Sequence, residues 1–374
     1  MSTYIDIHII QSVPPSCVNR DDTGSPKSAI YGGVRRLRVS SQSWKRATRL
    51  YFKDHLEVSD LGTRTKRVVE TLATRISQQA PEFDEVAQAL AEDVFKAAKI
   101  KVSPPRGKNG APRESGYLVF LSNRQLDRLA QTAIATARDG ANLDTKVIKK
   151  VFKETGAVDV ALFGRMVADD TDLNVDAACQ VAHAISTHAA ENEYDFFTAV
   201  DDEKKKDEED AGAGMMGTVE FSSATMYRYA TINLDLLQDN LGNVEATLRA
   251  LAAFIDGFAT SMPTGKQNTF ANRTLPEAIV VSVREDQPVS LVGAFEKAIR
   301  NDPDQGYVER SIKELSAYAS AIAENYGITP LHSFVVSLSD SEAVASLGER
   351  IPFSGLSPAV RDLVAPRVPG QEQA

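Results

Sequence analysis

Eight cations fall between Thr23 and Lys53 with no acid among them: Lys27, Arg35, Arg36, Arg38, Lys45, Arg46, Arg49 and Lys53. Their chemistry is that of polyanion binding, because clustered Lys and Arg displace counterions from phosphates. The chain as a whole carries a net charge of −9. A positive patch on an acidic protein limits indiscriminate attachment and leaves one defined surface for nucleic acid, although salt bridges to acids elsewhere in the chain compete for the same cations. A second chemistry resides in Phe196, Phe197 and Thr198, where aromatic rings can wedge between bases. Anchoring of the local loop to the core explains that pair equally well. Lys146, Lys149, Lys150 and Lys153 stand at i, i+3, i+4 and i+7, a single basic helix face that by pattern alone is as consistent with a solvated surface.

Catalytic patterns are weaker. Asp21 and Asp22 lie beside the basic patch, where paired carboxylates can hold a divalent metal for phosphodiester cleavage. Adjacent acids in a loop more often form turns. Gly212, Gly214 and Gly217 spell G-x-G-x-x-G, yet they follow an acidic run and precede strand-like sequence, the wrong context for a dinucleotide fingerprint. His183 and His188 are five apart on an expected helix, a poor spacing for one metal. No G-x-S-x-G elbow or Walker A loop is found. Cys17 and Cys179 cannot build a framework of disulfides, and one Trp in 374 residues argues against an aromatic cage. No cofactor and no metal are indicated.

These side chains need elements to hold them. Residues 4–10 alternate Ile5, Ile7 and Ile9 with Asp6 and His8, the period of a half-buried strand. Residues 30–39 interleave Val34, Leu37 and Val39 with arginines after a Gly-Gly bend. A helix capped by Ser40 or Ser41 then sets Trp44, Ala47 and Tyr51 on one side and Lys45, Arg49 and Lys53 on another. From about 66 to 155 the pattern is helical, with stripes at Phe83, Val86, Leu90, Val94 and Ala97 and at Leu126, Leu129 and Ala133, interrupted by a Pro- and Gly-rich loop at 101–116. A strand is expected at 158–167 and a helix at 174–189. Residues 201–217 are charged and then small, and are expected to be disordered on their own. A strand at 226–236, a helix at 244–258, a strand at 277–284, helices at 290–300 and 309–325, and a strand at 332–338 complete the regular part. The fold class is therefore α+β. No apolar run reaches the length of a membrane span and the N-terminus reads as a strand, so a cytoplasmic address is expected.

Longer blocks carry a resemblance. PPSCVNRDD (14–22), AIYGGVRRLRVSSQSWKRA (29–47), VDVALFGRM (158–166), DFFTAVDD (195–202), GTVEFSSATMYRYATINL (217–234) and GKQNTFA (265–271) closely resemble the CasC family, the crRNA-binding backbone subunits of type I-E CRISPR Cascade complexes within the RAMP superfamily. The resemblance is thinnest over 55–155 and at the C-terminal tail. It implies an RRM-like (ferredoxin-like) palm at 1–60, 156–190 and 226–374, a helical fingers insertion at 61–155 and a β-hairpin thumb at 191–225. It also implies a non-catalytic protein that binds guide RNA, stacks head to tail with further copies of itself, and joins the large, small, guide-processing and 5'-end-capping subunits of the complex. By similarity, Arg20, Ser40, Gln42, Lys45, Arg46 and Arg49 hold RNA phosphates, with Lys266 and Gln267 on a loop near the RNA. Met166 and Phe196-Phe197-Thr198 match residues at a regular kink in the guide, and Lys146, Lys149, Lys150 and Lys153 match by position and charge a surface for target DNA. One departure is the charged KKKDEED insertion in the thumb loop. Type III relatives cut target RNA with an aspartate near the place of Asp21 or Asp22, so a metal-dependent ribonuclease acting through Asp22 is the alternative.

Overall fold

The computed structural model describes residues 2–107, 110–154, 156–199 and 215–369. The expected disorder of 201–217 therefore lies largely outside the described residues, as do Gly212 and Gly214. Two compact units emerge, one of Met1–Tyr51, Val181–Thr231 and Phe254–Val364, the other of Phe52–Gln180, Ile232–Ala253 and Ala365–Ala374. Among the described residues no helix is long and apolar enough to cross a membrane.

The first unit is built on one sheet, whose strands run in the order Glu349–Arg350, His332–Ser337, Ala278–Arg284, Tyr4–Ser16, Met215–Asn233, Ala184–Ser186, Val34–Val39 and Ser28–Tyr31. Its centre explains the fold class. Taken in chain order, Tyr4–Ser16, Ala184–Ser186, Met215–Asn233 and Ala278–Arg284 are strands one to four, and in space they lie 4-1-3-2. The helix Ser41–His55 lies between the first and second strands and Val244–Thr260 between the third and fourth, which gives the βαββαβ order of a ferredoxin-like palm.

The first strand departs from the alternating pattern. Asp6, His8 and Gln11 are as buried as Ile5, Ile7, Ile9 and Ile10, so both faces of the strand are covered. Asp6 pairs with Arg284 at 3.0 Å and accepts from the Tyr229 hydroxyl at 2.9 Å, and His8 Nδ1 shares a hydrogen bond with the Tyr227 hydroxyl at 2.9 Å, while His8 Nε2 has no hydrogen-bond partner among the described residues. Most buried polar groups in cores are paired in this way.

The second unit holds the helices Val68–Gln79, Ala87–Ala97, Asn123–Arg138 and Thr145–Lys153 around a core of Val69, Leu72, Ile76, Phe95, Leu129 and Phe152. The sequence SNRQ starts the longest of them with a capping box: Ser122 Oγ accepts from Gln125 N–H and Gln125 Oε1 accepts from Ser122 N–H. Truncating a residue such as Leu72 to Ala would cost about 2–5 kcal/mol.

Several expected elements differ. Residues 158–167 contain the helix Val158–Phe163 rather than a strand, and 174–189 hold the short strands Cys179–Val181 and Ala184–Ser186 rather than a helix, so His183 and His188 do not share a helix. The strand at 226–236 ends at Asn233 and gives way to the helix Leu234–Leu241. Only Val292–Phe295 is helical within 290–300, and regular structure continues past 338 to the helix Phe353–Val364.

Candidate nucleic-acid interface

The palm site starts with the helix Ser41–His55. Trp44, Ala47, Thr48 and Phe52 are buried and fix its inner side, while Gln42, Arg46 and Lys53 are exposed and Lys45 and Arg49 half-buried on the rest. Its first turn contains no acid, and its N-terminal N–H groups, one of which bonds the Ser40 hydroxyl through Gln42, suit an anion. Asn19 ties the preceding loop to this end: its side chain accepts from Ser40 N–H at 2.9 Å and its carbonyl from Lys27 N–H at 2.9 Å. Exposed Arg20 is thereby set beside the helix start.

A third segment closes on the same place. Gly265 sits so tightly on the loop that an added Cβ would lie 2.2 Å from the Val18 carbonyl oxygen. The next residue, Lys266, is exposed with a left-handed φ of 52°, and Ala271 at φ 48° ends the one-turn helix Gln267–Phe270. Two non-glycine residues held in that region mark a turn whose shape is imposed by its surroundings. Ser43, Arg46 and Leu50 of the helix face Met262, Thr264 and Gly265 across a cleft of about 140 Å³. Arg20, Ser40, Gln42, Lys45, Arg46, Arg49, Lys266 and Gln267 therefore lie on three adjoining segments of one unit. Cys17 lies among them: burial pushes its thiol up, against the opposing pull of the Lys266 and Arg20 charges.

The opening cluster of eight cations divides. Arg36 is fully buried and spends its guanidinium on four carbonyls, those of Tyr31, Ser186, Phe295 and Glu296. Arg38 donates to the Ser28 carbonyl at 3.2 Å and lies 3.0 Å from His183 Nδ1. These two cations hold the sheet edge. Asp21 also has a local task, accepting from Thr23 N–H, the Thr23 hydroxyl and Ser25 N–H, which holds its carboxyl below the usual range. Among the described residues no three His, Cys, Asp or Glu side chains are grouped as metal ligands.

Glu193–Ala199 pairs with the start of Met215–Asn233 as an antiparallel hairpin. Phe196 opposes Thr218 and is 64% exposed, whereas Phe197 opposes Gly217 and covers it closely enough that a Cβ there would lie 2.7 Å from the ring. Phe196 is free to contact a partner, and Phe197 is partly committed to the hairpin. Tyr194 and Met216 share the Phe196 face and are also exposed, a period-two signal legible in the sequence but missed there.

In the second unit Met166 projects between buried neighbours. Arg165 donates to the carbonyls of Leu173 and Phe152 at 2.9 and 2.6 Å, Val167 is fully buried, and Met166 between them is 75% exposed. The lysine helix is less uniform than its spacing. Lys146, Lys150 and Lys153 are exposed, but Lys149 is half-buried and ion-paired with Asp170, whose carboxyl it holds below the usual range.

A ferredoxin-like palm with a basic helix, a strained basic loop and an exposed aromatic hairpin defines the class: an RRM-like α+β protein with a cationic face. The chain belongs to the CT1975-like protein family, whose model matches residues 5–354. It is similar to a chain of the solved structure "CRISPR RNA-guided surveillance complex, pre-nicking", with 36% identity, a TM-score of 0.86 and coverage of 96% of this chain and 99% of that one. A chain of a second structure, "CRISPR RNA-guided surveillance complex", matches at 30% identity and a TM-score of 0.76, again over 96% and 99%. No curated protein matches. The resemblance to Cascade backbone subunits read from the sequence blocks is borne out.

Proposed function

We propose that this protein is a non-catalytic backbone subunit of a CRISPR RNA-guided surveillance complex, binding the guide RNA along its palm. The observation that carries this reading is the convergence of the Arg20 loop, the Ser41–His55 helix and the Lys266 loop on one cleft, in a chain that matches subunits of such complexes end to end. Those groups are cations and N–H donors suited to phosphate, and phosphate contacts fix register without reading sequence. One protein can then carry any guide, while base pairing with target DNA supplies specificity. The exposed Phe196 and Met166 wedge into the guide at regular kinks, the thumb of one copy crossing the RNA held by the next in a head-to-tail filament. Lys146, Lys150 and Lys153 guide target DNA, with Lys149 held by Asp170. The palm, fingers and thumb divide the chain at the boundaries the resemblance implies, the other Cascade subunits complete the assembly, and its setting is the cytoplasm.

The test replaces Arg46 and Lys266, both exposed, by Ala. Guide affinity falls for every spacer alike, and the slope of log affinity against log salt decreases by about one for each phosphate contact removed. Unchanged affinity and slope would contradict the assignment. Incubating the assembled complex with complementary RNA and magnesium tests the non-catalytic part: cleavage lost in Asp22→Ala would replace it with the ribonuclease.

A further inference from the structure

Trp44 is the single tryptophan of the chain and lies on the inner side of the basic helix, fully buried. Over its ring, 3.7 Å from the centroid, stands the guanidinium of Arg228, itself 1% exposed. The same guanidinium lies 4.5 Å from the Phe258 ring centroid on the second palm helix. One Nη donates to Gln11 Oε1 at 2.5 Å and the other to the Phe258 carbonyl. Among the described residues no carboxylate pairs with Arg228. Burial pushes it down to about 9, which leaves it charged at neutral pH.

The network reaches the second RNA-facing segment as well. Gln11 Nε2 donates to the Thr274 carbonyl and hydroxyl at 3.0 and 3.2 Å, and Thr274 N–H lies 3.2 Å from the sulfur of Met262, a wall of the cleft. Asn272 in turn donates to the Gly265 carbonyl, next to Lys266. Arg228 thus stands at the junction of the helix that carries Arg46 and the loop that carries Lys266.

Stability alone does not call for such a residue, since an isolated buried cation loses its hydration and an apolar side chain of similar size often serves as well or better. A planar fork that stacks on an indole and donates in its own plane does something an apolar chain cannot: it fixes ring orientation and thereby the helix bearing the ring. We propose that Arg228 is a positioning residue for guide binding, a carboxylate-free buried cation that holds Trp44 and so sets the basic helix against the Lys266 loop. This rests on the palm's binding guide RNA.

The test uses the full-length chain, a synthetic guide RNA and three variants. Arg228→Met keeps length and apolar bulk but leaves Gln11 Oε1 and the Phe258 carbonyl without their donor, so Tm falls; read well below that Tm, Trp44 emission shifts and guide affinity drops about tenfold, the loss of one charge-assisted contact. Arg228→Lys keeps the charge without the fork, and should lie between the two in both affinity and emission. A merely structural role predicts instead that affinity falls only as the temperature nears Tm, and either that result or wild-type affinity in Arg228→Met overturns the proposal. Should Arg228→Met fail to fold, wild-type emission and affinity in Arg228→Lys overturn it. Arg46→Ala with Lys266→Ala is the control: if that variant retains guide affinity, it is the palm reading that fails.

Discussion

At the scale of single residues, the palm relies on polar groups placed where water cannot reach. His8 is fully buried, and desolvation together with the Arg284 charge lowers its pKa from 6.5 to about 3. The folded His8 therefore refuses a proton that the unfolded chain accepts. Its contribution to stability is full above pH 6.5 and is lost as pH falls toward 3, with a slope of up to about 1.4 kcal/mol per pH unit. Asp6, raised by burial, works in the opposite direction over the carboxylate range and offsets part of the loss. Urea unfolding across that window should show a shallower acid limb in His8→Gln than in wild type; parallel profiles would contradict the assignment. Gly32 is a second sensitive position. It has a left-handed φ of 59°, and a Cβ there would lie 1.6 Å from the Glu296 carbonyl oxygen that also accepts from Arg36. Gly32→Ala should cost about 1–3 kcal/mol by thermal or chemical unfolding, since the obstacle is backbone and cannot swing aside.

At the scale of elements, the thumb hairpin separates two tasks. Phe196→Ala removes an exposed ring without touching the Gly217 contact of Phe197, so guide retention should change little while the periodic reactivity of the bound RNA to hydroxyl radicals is lost. Retained periodicity would show that another side chain makes the kink. The lysine helix divides in the same way: Ala at 146, 150 and 153 should weaken target-duplex binding and reduce its salt dependence, whereas Lys149→Ala should chiefly lower Tm by leaving Asp170 without its cation. The basic helix and its N-terminal cap were legible in the sequence because amphipathic spacing and Ser at the start have local causes. The helix Val158–Phe163 was not, because a short run that is apolar but for Asp159 fits a buried helix and a buried strand equally. Val175, Ala178, Ala182 and Ile185 do repeat at helical spacing, yet Ala184–Ser186 is drawn into pairing with Val34–Val39 and Met215–Asn233, and tertiary pairing overrode the period. Asp6 and His8 looked solvent-facing because their partners Arg284 and Tyr227 lie more than two hundred residues away.

For the whole molecule, charge bears on partner choice more than on fold. The net −9 discourages general polyanion binding, while Arg36 and Arg38 are committed to carbonyls and Arg20, Arg46 and Lys266 stand exposed on three segments of the palm. That division is what the proposed RNA-holding role requires of an acidic protein. The Lys266 loop, more than two hundred residues from the other two segments, joins them only through the pairing of Tyr4–Ser16 with Ala278–Arg284, which no local pattern reveals. The central claim is that the palm holds guide RNA by its backbone and ignores its bases. Its most direct measurement is a salt titration of affinity for a set of guide RNAs that share the repeat and differ throughout the spacer. The account predicts one common affinity and one common steep slope, both reduced together in Arg46→Ala with Lys266→Ala. Affinities that scatter with spacer sequence, or a slope indifferent to those two cations, would contradict it.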